Sequence, residues 1–189
     1  MSVLDHARSF LGRELTAHGV TVRITEVEAY GGVTDPASHA YTRTARSEIM
    51  YGPAWRLYVY RIHGHHCANI VTGPSEQAAA VLLRAGEVID GQAVARERRG
   101  EVPHEALGRG PGNLCRALGI TMADLDVDVR VGPSVVRRPK AEDVAVSEGP
   151  RVGVRRAADR PWRLWVTGDP TVSAYRRHAR AESSSADIG

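Results

Sequence analysis

Lysine is nearly absent from this chain: of its 25 basic residues, all but Lys140 are arginine. Chemistry through a side-chain Schiff base therefore has one amine to draw on, in the loop-like run VVRRPKAED, besides the N-terminus. Also missing is any stretch approaching the roughly 18 to 20 apolar residues that span a bilayer. The N-terminal MSVLDHARSFLGREL carries Asp5, Arg8 and Arg13 where a signal peptide would be apolar. A soluble, cytoplasmic protein with no membrane partner is expected, nucleoid-associated if the source is prokaryotic. Cysteine is scarce too: Cys67 and Cys115 stand alone, outside any CxxC pattern, and two reduced thiols are expected. Without a GxGxxG after a strand, a Walker lysine or an HExxH, nucleotide cofactors and the common zinc hydrolases have no support.

What is present is the composition of a globular protein, 42% hydrophobic and 25% charged. The length of 189 residues fits one domain, read as 1–178, followed by a flexible tail over 179–189 that ends ESSSADIG. The net charge is +3 and the pI about 9.1. Arginine suits bidentate contact with a polyanion; a compositional bias that also supplies the many Ala and Gly explains the excess equally well.

Val3, Leu4, Ala7, Phe10, Leu11 and Leu15 have helical spacing, with Ser2 as a cap. From Val20 to Tyr30 the pattern alternates and places Val20, Val22, Ile24, Glu26, Glu28 and Tyr30 on one face, so that two carboxylates continue an apolar face. A long loop, GGVTDPASHAYTRTARSE, carries Arg43 and Arg46. RLYVYRI and CANIVTG read as two strands joined by HGHH, a hairpin with an exposed polar tip. AAAVLLRAGEVI fits helix or strand. Asp90 is expected to cap the arginine-rich helix GQAVARERRG. GRGPGNLCRALGI reads as a helix with glycines at its start, where a phosphate can bind, and Gly119 at its end. Short alternating pieces follow in DVDVRVG, PRVGV and PWRLWVTG, the last a strand. Together these give an α+β fold, one mixed domain with a mainly antiparallel sheet.

A glutamate facing inward beside a tyrosine is a candidate general base; the plainer reading pairs Glu26 and Glu28 with surface arginines. Tyr30, His39, Tyr58 and Tyr60 concentrate near these carboxylates in a chain with only 5% aromatics. Rings, arginines and a carboxylate together fit an extruded nucleobase, while ordinary sheet packing also explains the tyrosines. HGHHC, residues 63–67, holds zinc-type ligands crowded into a turn with no second cluster elsewhere, and no metal is expected.

EVEAY, SHA, TARSEIMYGP, LYVY, CANIVTG, VLLRA, GRGPGNLCRALGI, PRVGV and PWRLWVTG, in this order and spacing, resemble the alkyladenine (methylpurine) DNA glycosylases over nearly the whole chain. The resemblance implies a curved antiparallel sheet with flanking helices and a protruding, DNA-inserting hairpin, similar to the C-terminal domain of methionyl-tRNA formyltransferases. It implies Glu28 as the base that activates water for attack on the sugar C1′, with Arg84 and a main-chain carbonyl at Val152 holding that water. This favours a strand for VLLRA. Tyr30, His39 and Tyr60 correspond to rings stacking on the flipped base, with the His39 main chain bonding a base edge, and Asn69 to the side chain that rejects the 2-amino group of guanine. His63 stands where the family carries an intercalating tyrosine, on a hairpin one residue shorter. Charge nominates Arg43, Arg46, Arg109, Arg116 and the Arg96, Arg98 and Arg99 group for phosphate contacts, and Arg46 also lies in the matching TARSE motif.

The implied activity is cofactor-free hydrolysis of the N-glycosidic bond of alkylated or deaminated purines in double-stranded DNA, by a monomer. The expected product is an uncut abasic strand, because Lys140 is remote in sequence from the motifs. A noncatalytic nucleic-acid-binding module of the same fold is the other reading, though such a module has no need of Glu28, Arg84 and stacking rings together. A carbohydrate hydrolase using Glu26 and Glu28 as a pair fits poorly, since residues two apart on a strand lie side by side, with Cα atoms about 6.5–7 Å apart, whereas glycosidase carboxylates flank their bond. Glu26 is read as supportive or structural.

Overall fold

Ser2 begins the first helix as its spacing predicts. Its hydroxyl accepts from the Asp5 N–H and the Asp5 carboxylate accepts from the Ser2 N–H, a closed capping box. Helix α1 (Val3–Phe10) stops short of the expected Leu15, because Gly12 turns the chain at φ 76° and Leu15 enters strand β1 (Glu14–Ala17). The computed structural model describes residues 1–137 and 144–182, so Lys140 and residues 183–189 of the expected tail lie outside the described residues.

The remaining strands are β2 (Val20–Tyr30), β3 (Leu57–Ile62), β4 (His65–Val71), β5 (Ala80–Asp90), β6 (Ser134–Arg137), β7 (Val146–Gly149) and β8 (Arg163–Val166). All pair antiparallel in one curled sheet, in the order β3-β4-β5-β2-β1-β6, with β8 on β2 and β7 on β8. The VLLRA segment is therefore strand. One edge of β2 serves two neighbours: β1 along Val20–Arg23, then β8 along Glu26–Glu28.

This arrangement depends on a break in the β2 pattern. The register with β5 shifts between Ile24 and Glu26, and again between Glu26 and Val27. Val20, Val22 and Ile24 point into the main core, yet beyond the shift it is Val27 and Ala29 that join it. The two glutamates thus do not continue the apolar face. An extra residue at Thr25 reverses the parity of a period-two strand and turns Glu26, Glu28 and Tyr30 to the opposite side.

Helices α1, α2 (Gln92–Arg99) and α3 (Pro111–Leu118) cover the core side, α3 burying Leu114, Cys115, Ala117 and Leu118. Proline at its start and Gly119 at φ 72° bound α3 as expected. Asp90, by contrast, does not cap α2. Gly91 occupies the cap at φ 71°, and the Asp90 carboxylate accepts the Gly91 N–H instead of a helical one. Of the short alternating pieces, DVDVRVG and PRVGV form turns and loop, apart from an isolated bridge between Arg56 and Asp128.

On the other side of the sheet the long loop folds into three short 3-10 turns, Gly32–Thr34, His39–Tyr41 and Glu48–Tyr51. Ala40, Met50 and Tyr51 pack there on Tyr58, Val71 and Ala80. The β3–β4 hairpin closes tightly through His63 at φ 47° and Gly64 at φ 81°, the positive-φ pair that matches strand twist. His65 and His66 consequently belong to β4 and not to the tip. Both cysteines are buried free thiols. No helix among the described residues is long and apolar enough to cross a membrane.

Candidate active site

Glu28 lies mid-strand, wholly buried, with β5 on one side and β8 on the other. A buried carboxylate is costly unless paired and hydrogen-bonded, and Glu28 is both. Its Oε1 accepts the Val152 N–H at 2.7 Å and faces Nη1 of Arg84 at 3.4 Å. Its Oε2 accepts the Tyr30 hydroxyl at 2.8 Å. A carboxylate offers about four acceptor positions, so these three donors leave room for a water. Val152 thus meets the carboxylate through its N–H, a contact additional to the water-holding carbonyl that the resemblance implies.

Glu26 is a second wholly buried carboxylate with a different set of partners. Its Oε1 accepts Nε of Arg84 at 2.9 Å, Nε of Arg163 at 2.6 Å and the Ser173 hydroxyl at 2.9 Å, and its Oε2 accepts the Ser173 N–H at 2.7 Å. Burial pushes the Glu26 carboxyl up, but Arg84, the Ser173 amide and Arg163 outweigh it and hold the group below the ordinary range. Burial likewise acts against the Arg84 cation, and Glu28 and then Glu26 more than offset it. Glu26 is thus anchored by buried partners, not by the surface arginines of the plainer reading.

Glu28 and Arg84 open onto a cavity of about 540 Å³, within the usual size for a small-ligand site. Tyr30, His39, Tyr58, Tyr60, Asn69 and the Val152–Arg156 segment line it. The His39 and Tyr60 rings meet edge to face with centroids 4.7 Å apart, and His39 Nδ1 lies 2.9 Å from the Tyr58 hydroxyl. One side of His39 stays open to solvent, while burial of the rest and then the nearby Arg46 charge lower its imidazole to about 4. Burial and then Cys67 push the Tyr60 phenol far up, so it remains a protonated hydroxyl. The Asn69 amide donates to the Tyr58 carbonyl at 3.2 Å, which fixes its orientation at the cavity wall.

The structure thus gathers Glu28, Arg84, Val152, Tyr30, His39, Tyr60 and Asn69 around one space and leaves His63, Arg43, Arg109 and Arg116 outside its lining. Arg46 lies beside it, its guanidinium 5.0 Å from the centre of the Tyr60 ring. Arg43 is exposed but paired with both Glu48 and Glu76. Arg109 donates to the Pro170 carbonyl, and Arg116 borders a smaller cavity of about 360 Å³ with His65, His66 and Arg98. In α2, Arg96, Arg98 and Arg99 donate to the carbonyls of Val102, of Ala117 and His18, and of Leu107. These guanidiniums bind the helix to α3 and to neighbouring loops, a role their charge alone did not reveal. Among the described residues no group of three or more His, Cys, Asp or Glu side chains has the arrangement to hold a metal ion.

Sequence reasoning missed Arg151. Wholly buried, it forms a bidentate pair with Asp35 at 2.5 and 2.9 Å, donates to the Ala29 carbonyl and stacks 4.8 Å from the Tyr30 ring centre. Its place inside the PRVGV motif, next to Val152, was the available signal. Arg155 and Arg156, in the same segment, line the cavity rim.

The family model for methylpurine-DNA glycosylase (MPG) matches residues 1–170. A Mycolicibacterium paratuberculosis protein named "Putative 3-methyladenine DNA glycosylase" is 55% identical over 186 residues, covering 94% of this chain and 91% of its own length. A protein of the same name from Mycobacterium tuberculosis is 52% identical over 188 residues, covering 95% of this chain and 93% of its own. With that extent of match, the chain belongs to the methylpurine-DNA glycosylase family, whose membership implies DNA as its partner.

Proposed function

We propose that this protein is a monofunctional DNA glycosylase acting as a single domain, which flips an alkylated or deaminated purine out of duplex DNA and hydrolyses its N-glycosidic bond. The observation that carries this reading is the buried Glu28, oriented by Arg84, Val152 and Tyr30 at the edge of a cavity walled by rings. Tyr30, His39 and Tyr60 offer π faces to the extruded base. Asn69, held by the Tyr58 carbonyl, stands against the 2-amino group of guanine.

Glu28 takes a proton from a water shared with Arg84 as the water oxygen bonds to C1′ and the C1′–N bond breaks, its electron pair leaving with the base. The carboxylate also faces the oxocarbenium-like charge that develops on the sugar. Alkylation at N3 or N7 makes the base a cationic, good leaving group; hypoxanthine needs protonation as well and reacts more slowly. His63 at the hairpin tip fills the gap in the duplex, and Arg46 meets a phosphate. The curled sheet with its hairpin is read as the formyltransferase-C-terminal-like fold.

Single-turnover release of base from duplexes containing 7-methylguanine, 3-methyladenine or hypoxanthine tests this reading. Wild type releases base and leaves a strand that breaks only in alkali, and Glu28→Gln slows release by roughly 10²–10⁴-fold. No release from any lesion, with DNA binding retained, would make the protein a binding module.

A further inference from the structure

Ser173 follows the family-matched stretch, which ends at residue 170, yet it reaches both buried carboxylates' shared arginine. Its hydroxyl donates to Glu26 Oε1 at 2.9 Å and accepts from Nη2 of Arg84 at 3.3 Å. Its N–H donates to Glu26 Oε2, and its carbonyl accepts from Nη2 of Arg163, each at 2.7 Å. Ser173, Glu26 and Arg163 do not line the cavity, so they meet the reacting atoms only through Arg84.

A guanidinium is planar, and its N–H directions are fixed relative to one another. Once Glu26 and Ser173 hold the Nε and Nη2 edge, the direction of Nη1 is set, and it faces Glu28 Oε1 at 3.4 Å. Without the Ser173 hydroxyl that edge of the guanidinium keeps the Nε contact to Glu26 alone, and its plane can tilt and change the approach of Nη1 to Glu28. The same C-terminal segment also steadies the other donor to Glu28 Oε1: the Arg176 carbonyl accepts the Gly153 N–H at 2.9 Å, next to Val152, and the Glu182 N–H donates to the Arg155 carbonyl at 2.8 Å. Both groups that orient the Glu28 carboxylate at Oε1 are therefore fixed from residues 173–182.

We propose that Ser173 is a positioning residue for base hydrolysis, aiming Arg84 at Glu28 and the attacking water. This proposal rests on the glycosylase reading above. Ser173→Ala deletes the hydroxyl and keeps the backbone N–H on Glu26, which preserves the anchor of the segment. Loss of one charge-assisted hydrogen bond from a preorganised site lowers the single-turnover rate by about tenfold or more, while affinity for abasic-site duplex stays within about twofold. Ser173→Thr, which retains the hydroxyl, recovers most of the rate. In a Glu28→Gln background, Ser173→Ala slows the residual release no further, since both act through one carboxylate. If Ser173→Ala melts below the assay temperature, Ser173→Cys, similar in size with a weak donor, is measured in its place against the same expectations.

A Ser173→Ala rate within about twofold of wild type overturns the proposal and leaves the glycosylase reading standing. So does a loss matched by weaker DNA binding, or one repeated in full in the Glu28→Gln background, because either marks a general structural role. A wild type that releases no base from any lesion overturns the glycosylase reading and this proposal together.

Discussion

The Tyr30 hydroxyl donates to Glu28 Oε2 from two residues along the same strand, at 2.8 Å. Burial, followed by the charge of Glu28, pushes the Tyr30 phenol well above its ordinary range, so it is a permanent donor. Tyr30→Phe separates the two roles of this residue by keeping the ring and deleting the donor. Base release should slow by about tenfold with abasic-DNA affinity unchanged; an unaltered rate would leave stacking as the sole contribution of Tyr30.

Asp35 and Arg151 form an ion pair with neither side chain exposed. Removing one partner of a buried pair leaves the other charge uncompensated, which costs about 3–5 kcal/mol. Asp35→Ala should lower the urea midpoint accordingly and loosen Tyr30, on whose ring Arg151 stacks. A change below about 1 kcal/mol would show that the pair behaves like a surface one.

His39 is held neutral, its imidazole lowered from 6.5 to about 4 by burial and then by Arg46. The unfolded chain takes up this proton as pH falls below 6.5, whereas the folded chain waits until about 4. The stability linked to His39 is therefore constant above that window and declines as pH falls through it. Imidazole NMR should show no titration of His39 near neutrality, and Arg46→Ala should move its titration upward. A wild-type midpoint near 6.5 would contradict the packing described around the ring.

At the hairpin tip His63 is exposed and holds a positive φ of 47°, a region histidine tolerates better than most residues. His63→Ala should weaken binding to abasic duplex, and His63→Tyr, with a larger ring to stack, should tighten it. Equal affinities for all three would remove the tip from the intercalating role.

Arg155 and Arg156 line the cavity rim and share Glu182, whose Oε1 is 3.8 Å from each Nε. If both meet phosphates flanking the flipped nucleotide, the double alanine variant lowers the salt slope of DNA binding by about two. An unchanged slope would assign both to the C-terminal segment alone.

Whatever depends on neighbours along the chain was legible in the sequence. Ser2 caps α1, LYVY and CANIVTG pair as a hairpin, Gly119 ends α3, and the ordered motifs name the family and nominate Glu28 with Arg84. The direction in which the glutamates face depends on strand pairing across the sheet. One bulged residue near Thr25 reverses strand parity, and an alternating pattern read in sequence cannot register it, since the extra residue is defined only against β5. The same holds for the charges. Glu26 finds Arg84, Arg163 and Ser173 at sequence separations of 58, 137 and 147, and Arg151 finds Asp35 at 116. Periodicity reports on residues two to four apart, whereas a buried carboxylate is kept charged by whichever cations and donors the fold brings within 3 Å, and only the closed sheet with its returning C-terminal segment brings these together.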